Sequence, residues 1–183
     1  MHVIETAIPD VKVLVPKQFK DHRGFFSEVY SRKTLKELGI GCEFVQDNHS
    51  LSVEKGVLRG LHYQVPPMAQ DKLIRVVRGA ILDVAVDVRR SSPTFGKHVA
   101  MEISSDNWRQ IFVPVGFAHG FVTLEPNTEV LYKVSAPYSP GHERGVKWND
   151  PALAIDWGVL EAHAILSARD RDHLPLTHAG DLF

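Results

Sequence analysis

The segment "ILDVAVDV", residues 81–88, alternates between two sets of side chains along its whole length. Successive side chains of a β-strand point to opposite faces, so this period of two predicts a strand with one apolar face. The apolar face would carry Leu82, Val84, Val86 and Val88, and the opposite face would carry Asp83, Ala85 and Asp87.

Short apolar runs continue on both sides of this strand, from residue 72 to about residue 135. They are cut by turn signals at Arg78-Gly79, Ser92-Pro93, Asp106-Asn107, Pro114-Val115-Gly116 and Pro126-Asn127. This spacing predicts a mainly β protein, a sandwich or barrel of short antiparallel strands. The amino-terminal residues 2–16 also read as extended strands, which would pair within the domain or with another subunit.

Helical signals are few. "SRKTLKELG" predicts a short helix that is capped by Ser31 and ends before Gly39. "LSARDRDHLP" predicts a second helix that starts after Ser167 and stops before Pro175.

Length and composition indicate one domain spanning residues 1–183. The 21 basic and 22 acidic residues nearly cancel, which argues against general binding to nucleic acid or to an anionic membrane. Cys42 is the only cysteine, so an intrachain disulfide is excluded. No run approaches the roughly 20 apolar residues of a membrane helix, and the amino terminus lacks the pattern of a signal peptide. We expect a cytoplasmic location.

The ten histidines raise the question of a metal site. Small antiparallel barrels commonly bind a metal with two histidines two residues apart, a nearby carboxylate and a third histidine. The sequence has neither H-x-H nor H-E-x-x-H. His62 and His119 could meet in space, but a pair without an obvious third ligand does not make such a site. We predict no metal.

Proton transfer is the second possible role of His62, which lies in "GVLRGLHYQVPP", residues 56–67. Histidine is the commonest general base, provided that a neighbour orients its ring. Lys72 begins the next predicted strand, with Ile74 and Val76 on its face. An ammonium at that position could stabilise an enolate oxygen. Spacing alone instead favours a surface lysine on an edge strand.

Strand alternation places Arg59 and His62 on opposite faces, unless Gly60 hosts a bulge between them. Tyr132 shares a face with Val130 and Val134, which indicates either a core tyrosine or a proton donor.

Two further residues have local interpretations. Tyr138 lies in a proline-rich turn, where an exposed ring could stack on a planar ligand. Asp170 follows Ser167 by three residues, and this S-x-x-D spacing is that of a helix capping box, which needs no catalytic explanation.

Taken together, these segments resemble the dTDP-4-dehydrorhamnose 3,5-epimerase family over nearly the whole chain. The resemblance is carried by the following motifs: "DHRGFFSEVY", "FVQDNHSLSVEKGVLRGLHYQ", "DKLIRVVRGAILDVAVDVRRSSPTFG", "NWRQIFVPVGFAHGF", "LYKVSAPYSPGHERGVKWNDP" and "LSARD". It implies a cupin-type antiparallel jelly-roll barrel that works without metal or organic cofactor. It also implies a homodimer, with residues 1–30 as the segment that the subunits would exchange.

The resemblance further implies a substrate, dTDP-4-dehydro-6-deoxy-D-glucose, and a role for each matching residue. His62 resembles the base, Asp170 its orienting carboxylate, Lys72 the enolate stabiliser and Tyr132 the acid. Substrate-binding positions are Arg23, Glu28, Gln46, Asn48, Arg59, His119, Tyr138, Glu143 and Arg169. Members commonly have lysine where this chain has Arg169, so the charge is kept.

Three alternatives stay open. The chain could epimerise one carbon only or move the keto group, it could be a metal-dependent oxygenase, or it could bind sugar nucleotides without catalysis. We expect His2, His22, His142, His163, His173 and His178 to have no catalytic part, and His49 and His98 are undecided.

Overall fold

The computed structural model describes residues 1–183, which form two antiparallel β-sheets and a separate β-hairpin. Strand is the dominant element, at 40% against 9% helix, which confirms the mainly β prediction. The strands are β1 (His2–Ile4), β2 (Lys12–Val15), β3 (Gln18–Asp21), β4 (Gly24–Ser27), β5 (Gln46–Ser52), β6 (Leu58–Gln64), β7 (Lys72–Arg78), β8 (Ala80–Asp87), β9 (His98–Ser104), β10 (Gln110–Val113), β11 (Phe117–Thr123), β12 (Thr128–Val134) and β13 (Glu143–Gly145).

The larger sheet has the strand order β1-β2-β10-β7-β12-β5, and the smaller sheet has the order β13-β6-β11-β8-β9. Strands β3 and β4 pair only with each other. Some strands that are neighbours in the chain, such as β6 and β7, lie in different sheets. This alternation brings residues that are ten positions apart to facing walls of one interior.

Residues 81–88 lie in β8 and the residue that follows it, and the predicted alternation of their side chains is confirmed. Val84 and Val86 belong to a core that the smaller sheet shares with the carboxyl-terminal segment, where Trp148 and Trp157 pack. Ala85 faces the other way, into the core between the two sheets. Both faces are therefore buried, because the carboxyl-terminal segment covers the side that a two-layer sandwich would leave in water.

The core between the sheets contains side chains from both, including Ile74 and Val130 from the larger sheet and Phe121 from the smaller. A third cluster lies on the outer face of the larger sheet, where helix α1 (Arg32–Glu37) packs Leu35 against Leu73. The predicted cap of α1 is confirmed, since the Ser31 hydroxyl accepts from the Thr34 amide.

The carboxyl-terminal helix α2 (Ala168–Arg171) is a single turn, and it is preceded and followed by 3-10 turns at Glu161–His163 and Leu176–His178. It starts after Ser167, as predicted. None of the helices is long and apolar enough to cross a membrane.

The amino-terminal strands join the larger sheet of their own chain, because β1 pairs with β2 and β2 with β10. The β3–β4 hairpin that follows carries three exposed phenylalanines, Phe19, Phe25 and Phe26. An exchange of residues 1–30 between subunits stays a prediction.

Candidate active site

A cavity of about 310 Å³ opens between the two sheets. A second cavity of about 260 Å³ shares three wall residues with it, namely His62, Lys72 and Tyr132. The first cavity also contains Arg59, His119, Arg169 and Asp170, and the second contains Gln46, Asn48, Tyr138 and Glu143. Of the thirteen residues predicted for the site, eleven therefore line one continuous region.

Arg59 and His62 reach the same cavity because β6 is irregular at Gly60. His62 pairs with His119 on β11, and Arg59 pairs with Phe121, so two residues of β6 oppose the single residue Gly120. This is the predicted bulge. Gly60 has a φ of +125°, and a Cβ at that position would lie 2.5 Å from the Gly120 Cα, so only glycine fits without rearrangement.

His62 and Asp170 form a close pair across the cavity wall. Nε2 of His62 lies 2.6 Å from Oδ1 of Asp170, whose other oxygen accepts from the Ser167 hydroxyl. Burial alone would raise the pKa of the Asp170 carboxyl, but contacts with His62, with Ser167 and with the Gly60 amide hold it below its ordinary value. Asp170 is thus ionised. The capping contact between Ser167 and Asp170 and the His62–Asp170 dyad are both present.

Lys72 is not the edge-strand surface lysine that spacing favoured. Strand β7 lies between β10 and β12 in the larger sheet, so the side chain points into the interior beside Ile74. Its ammonium donates to the His62 carbonyl at 3.3 Å. Burial lowers the pKa of Lys72 to about 8, although the charges of Glu143 and Asp83 oppose that shift.

Tyr132 extends from β12 into the same region and packs on the core between the sheets. Burial raises the pKa of its hydroxyl, an effect that Arg59 opposes and Glu143 reinforces. The phenol therefore keeps its proton at neutral pH, which a proton donor requires.

His119 is held by an aspartate that the sequence analysis did not place in the site. Nε2 of His119 lies 2.8 Å from Oδ2 of Asp83, whose side chain is completely buried. Asp83 is on the face opposite Val84 and Val86, as the alternation predicted. The alternation alone did not reveal that this face lines the interior of the protein. A carboxylate buried there needs a hydrogen-bond or charge partner.

Three further predicted residues form a network at the mouth of the two cavities. The Tyr138 hydroxyl donates to Glu143 at 2.7 Å, and Arg169 contacts both of these side chains. On strand β5, the Gln46 side-chain amide donates to the Asn48 side-chain oxygen at 2.8 Å. Tyr138 is half exposed, as its position in a proline-rich turn predicted.

Arg23 and Glu28 lie outside the cavity of this chain. Arg23 is exposed at the tip of the β3–β4 hairpin, where it pairs with Asp21. Glu28 follows the hairpin and is exposed as well. His49 and His98 also lie outside both cavities.

His173, which we grouped with the uninvolved histidines, packs against His62. The two ring centroids are 5.3 Å apart and the rings meet at 77°. Burial and the nearby His62 ring lower the pKa of His173, so its imidazole is neutral. A usable signal was the D-x-x-H spacing, which keeps His173 close to Asp170 just past the end of α2.

Comparison with known proteins identifies the family. The sequence model of the dTDP-4-dehydrorhamnose 3,5-epimerases matches residues 5–178. The chain belongs to this family. A dTDP-4-dehydrorhamnose 3,5-epimerase from Salmonella typhimurium is 53% identical over 171 residues, covering 93% of this chain and 92% of that protein.

Two solved structures show how closely the fold follows this epimerase family. A dTDP-6-deoxy-D-glucose-3,5-epimerase from Legionella pneumophila, in complex with dTDP-4-keto-L-rhamnose, is 45% identical, with a TM-score of 0.92 over 97% of this chain and 93% of that one. A 3'-monoepimerase from Streptomyces bikiniensis, in complex with dTDP-quinovose, is 32% identical, with a TM-score of 0.87 over 97% and 88%. The cupin-type fold that the resemblance implied is confirmed.

The close approach of β6 and β11 gives the first testable prediction. Gly60→Ala should lower the free energy of unfolding by about 1–3 kcal/mol more than Gly24→Ala, because a methyl group at residue 60 meets the Gly120 backbone. Gly24 is the matched control, since its φ of +128° is nearly the same and a Cβ there meets nothing within 4 Å. Urea denaturation measures both variants, and equal losses of stability would contradict the steric explanation.

Proposed function

We propose that this chain epimerises carbons 3 and 5 of dTDP-4-dehydro-6-deoxy-D-glucose, which yields dTDP-4-dehydro-L-rhamnose, without a cofactor. The observation that carries the proposal is the meeting of His62, Lys72 and Tyr132 in the wall shared by both cavities. A base, an enolate stabiliser and an acid are the groups that this reaction needs.

The substrate ketone acidifies the hydrogens on the two flanking carbons, because the carbanion that forms delocalises onto the carbonyl oxygen. In the proposed mechanism, neutral His62 removes such a hydrogen while Asp170 orients the ring and stabilises the imidazolium. Asp170 is suited to this role because it is ionised and buried beside the ring.

Lys72 would stabilise the negative charge that develops on the ketone oxygen. A buried ammonium interacts strongly with an oxyanion because little water screens the two charges. Tyr132 would return a proton to the opposite face of the carbon, and this step inverts the configuration.

The remaining cavity residues would hold the nucleotide. The guanidinium groups of Arg59 and Arg169 match the geometry of diphosphate oxygens, and His119 lies beside them. Tyr138 offers an exposed ring on which the thymine base could stack, and Glu143 fixes its hydroxyl. Gln46 and Asn48 add amide groups to the wall of the second cavity.

Epimerisation at a single carbon is the second candidate. A 3'-monoepimerase shares this fold, so the fold alone does not set the number of carbons that exchange.

Turnover in deuterated water tests the function and the split of roles. The wild-type protein should incorporate deuterium at both flanking carbons. His62→Ala should abolish the exchange, whereas Tyr132→Phe should retain exchange and lose inversion. Deuterium at one carbon would support the monoepimerase. Binding of thymidine nucleotides without any exchange would show a noncatalytic protein. Equal loss of exchange and inversion in Tyr132→Phe would contradict the proposed role of the tyrosine.

The lowered pKa of Lys72 gives a pH dependence. Because Lys72 loses its charge as pH rises through about 8, kcat/KM should fall through that pH. Lys72→Arg should remove this fall, since a guanidinium stays charged above pH 12. Lys133→Arg is the control, because Lys133 pairs with Asp47 outside the cavity and its replacement should leave the fall in place. A fall that persists unchanged in Lys72→Arg assigns it to another group.

We also propose that the chain works as a homodimer. The resemblance implies that Arg23 and Glu28 bind the substrate. Both are exposed, on or beside the β3–β4 hairpin, and they lie outside the cavity of their own chain. A second subunit would let the hairpin reach a cavity. Burial in such an interface would also remove Phe19, Phe25 and Phe26 from water. A cytoplasmic location stays a prediction.

The dimer can be tested by light scattering. The wild-type protein should have twice the chain mass of 20.5 kDa. Phe26→Asp should shift the mass toward that of one chain, because Phe26 is 71% exposed at the proposed interface. Leu160→Asp is the control, since Leu160 is 69% exposed on a different segment and its replacement should leave the mass unchanged. A wild-type monomer would contradict the proposal.

A further inference from the structure

His62, Asp170 and His173 together form a set of metal-ligand type that the proposed epimerase reaction does not use as such. One nitrogen from each ring and one carboxylate oxygen lie within 4.8 Å of one another. Two imidazoles and a carboxylate are a ligand set that zinc takes in proteins.

The hydrogen bonding of these three groups is incomplete. His62 Nε2 and Asp170 Oδ1 lie 2.6 Å apart and pair with each other, whereas the buried His173 Nε2 has no hydrogen-bond partner. Buried polar atoms are normally hydrogen-bonded, so an imidazole nitrogen without a partner beside this pair indicates that a ligand completes the set.

The surroundings support the same conclusion. A Cβ on Gly145 would lie within 2.5 Å of three atoms of the His173 ring, so the glycine on β13 makes room for the imidazole. On the other side, the Ser167 hydroxyl donates to Asp170 Oδ2 and leaves Oδ1 directed at the two rings. In metal-binding carboxylates, the oxygen that does not bind the metal is typically held by a hydrogen bond of this kind.

We propose that His62, Asp170 and His173 bind one zinc ion, and that this ion inhibits the enzyme. A zinc ion with ligands at about 2.0–2.1 Å in tetrahedral geometry needs them about 3.3 Å apart. The His62 and Asp170 atoms must therefore separate from their present 2.6 Å. The binding does not depend on the proposed reaction, whereas the inhibition rests on it: the ion occupies the base and the carboxylate that orients it.

Binding is measured on the chelator-treated 183-residue protein, first with ZnCl₂ by calorimetry and then with Co²⁺ by its visible absorption. The wild-type protein should bind one ion per chain. His173→Gln should weaken binding at least about tenfold, because it removes one of three protein ligands. Asp170→Asn should do the same, and circular dichroism checks that both variants are folded.

His163→Gln is the matched control, because His163 is exposed on the 3-10 turn before α2. Its replacement should leave the affinity unchanged. Inhibition by zinc is measured for each protein relative to its own chelator-treated activity, and EDTA should restore turnover. Binding that is the same in His173→Gln, or no saturable binding at all, overturns the site. Binding without inhibition overturns the inhibitory role while leaving the epimerase function to the deuterium test.

Discussion

The backbones of β6 and β11 approach so closely at Gly60 and Gly120 that neither residue can carry a side chain. A Cβ on Gly120 would lie 2.7 Å from the Arg59 carbonyl oxygen, and a Cβ on Gly60 would meet the Gly120 Cα. This contact holds the bulge that turns Arg59 and His62 toward the same cavity. A regular strand would separate the two residues by pointing one of them away from the interior.

Once the bulge is in place, the rest of the site follows from the arrangement of the two sheets. The larger sheet contributes Lys72 and Tyr132, and the smaller sheet contributes His62 and His119. Asp170 comes from neither sheet but from a single helical turn, so the carboxyl-terminal segment has to pack on the smaller sheet before His62 has its partner. The large hydrophobic cluster around Trp148 and Trp157 provides that packing.

The fold class and most of the site were predictable because they depend on local patterns. Alternation in residues 81–88 located a strand, and glycine in "LRGLH" located a bulge. Lys72 was harder, since strand order decides whether a lysine lies at an edge or in the middle of a sheet, and spacing along the chain does not contain strand order. Asp83 and His173 were missed for a related reason. Each is defined by a partner that is distant in sequence, His119 for Asp83 and His62 for His173.

A metal-free general base and a metal-binding site need nearly the same chemical groups. Neutral imidazole, an ionised carboxylate and a low content of water favour proton abstraction, and they equally favour coordination of a divalent ion. The difference lies in the number of ligands that converge, because a dyad alone offers a metal too few. In the proposed site His173, which lies three residues after Asp170 and just past the end of α2, supplies the third ligand. An imidazole placed there ties catalysis to free zinc, because the ion can bind only when the two atoms of the dyad move apart.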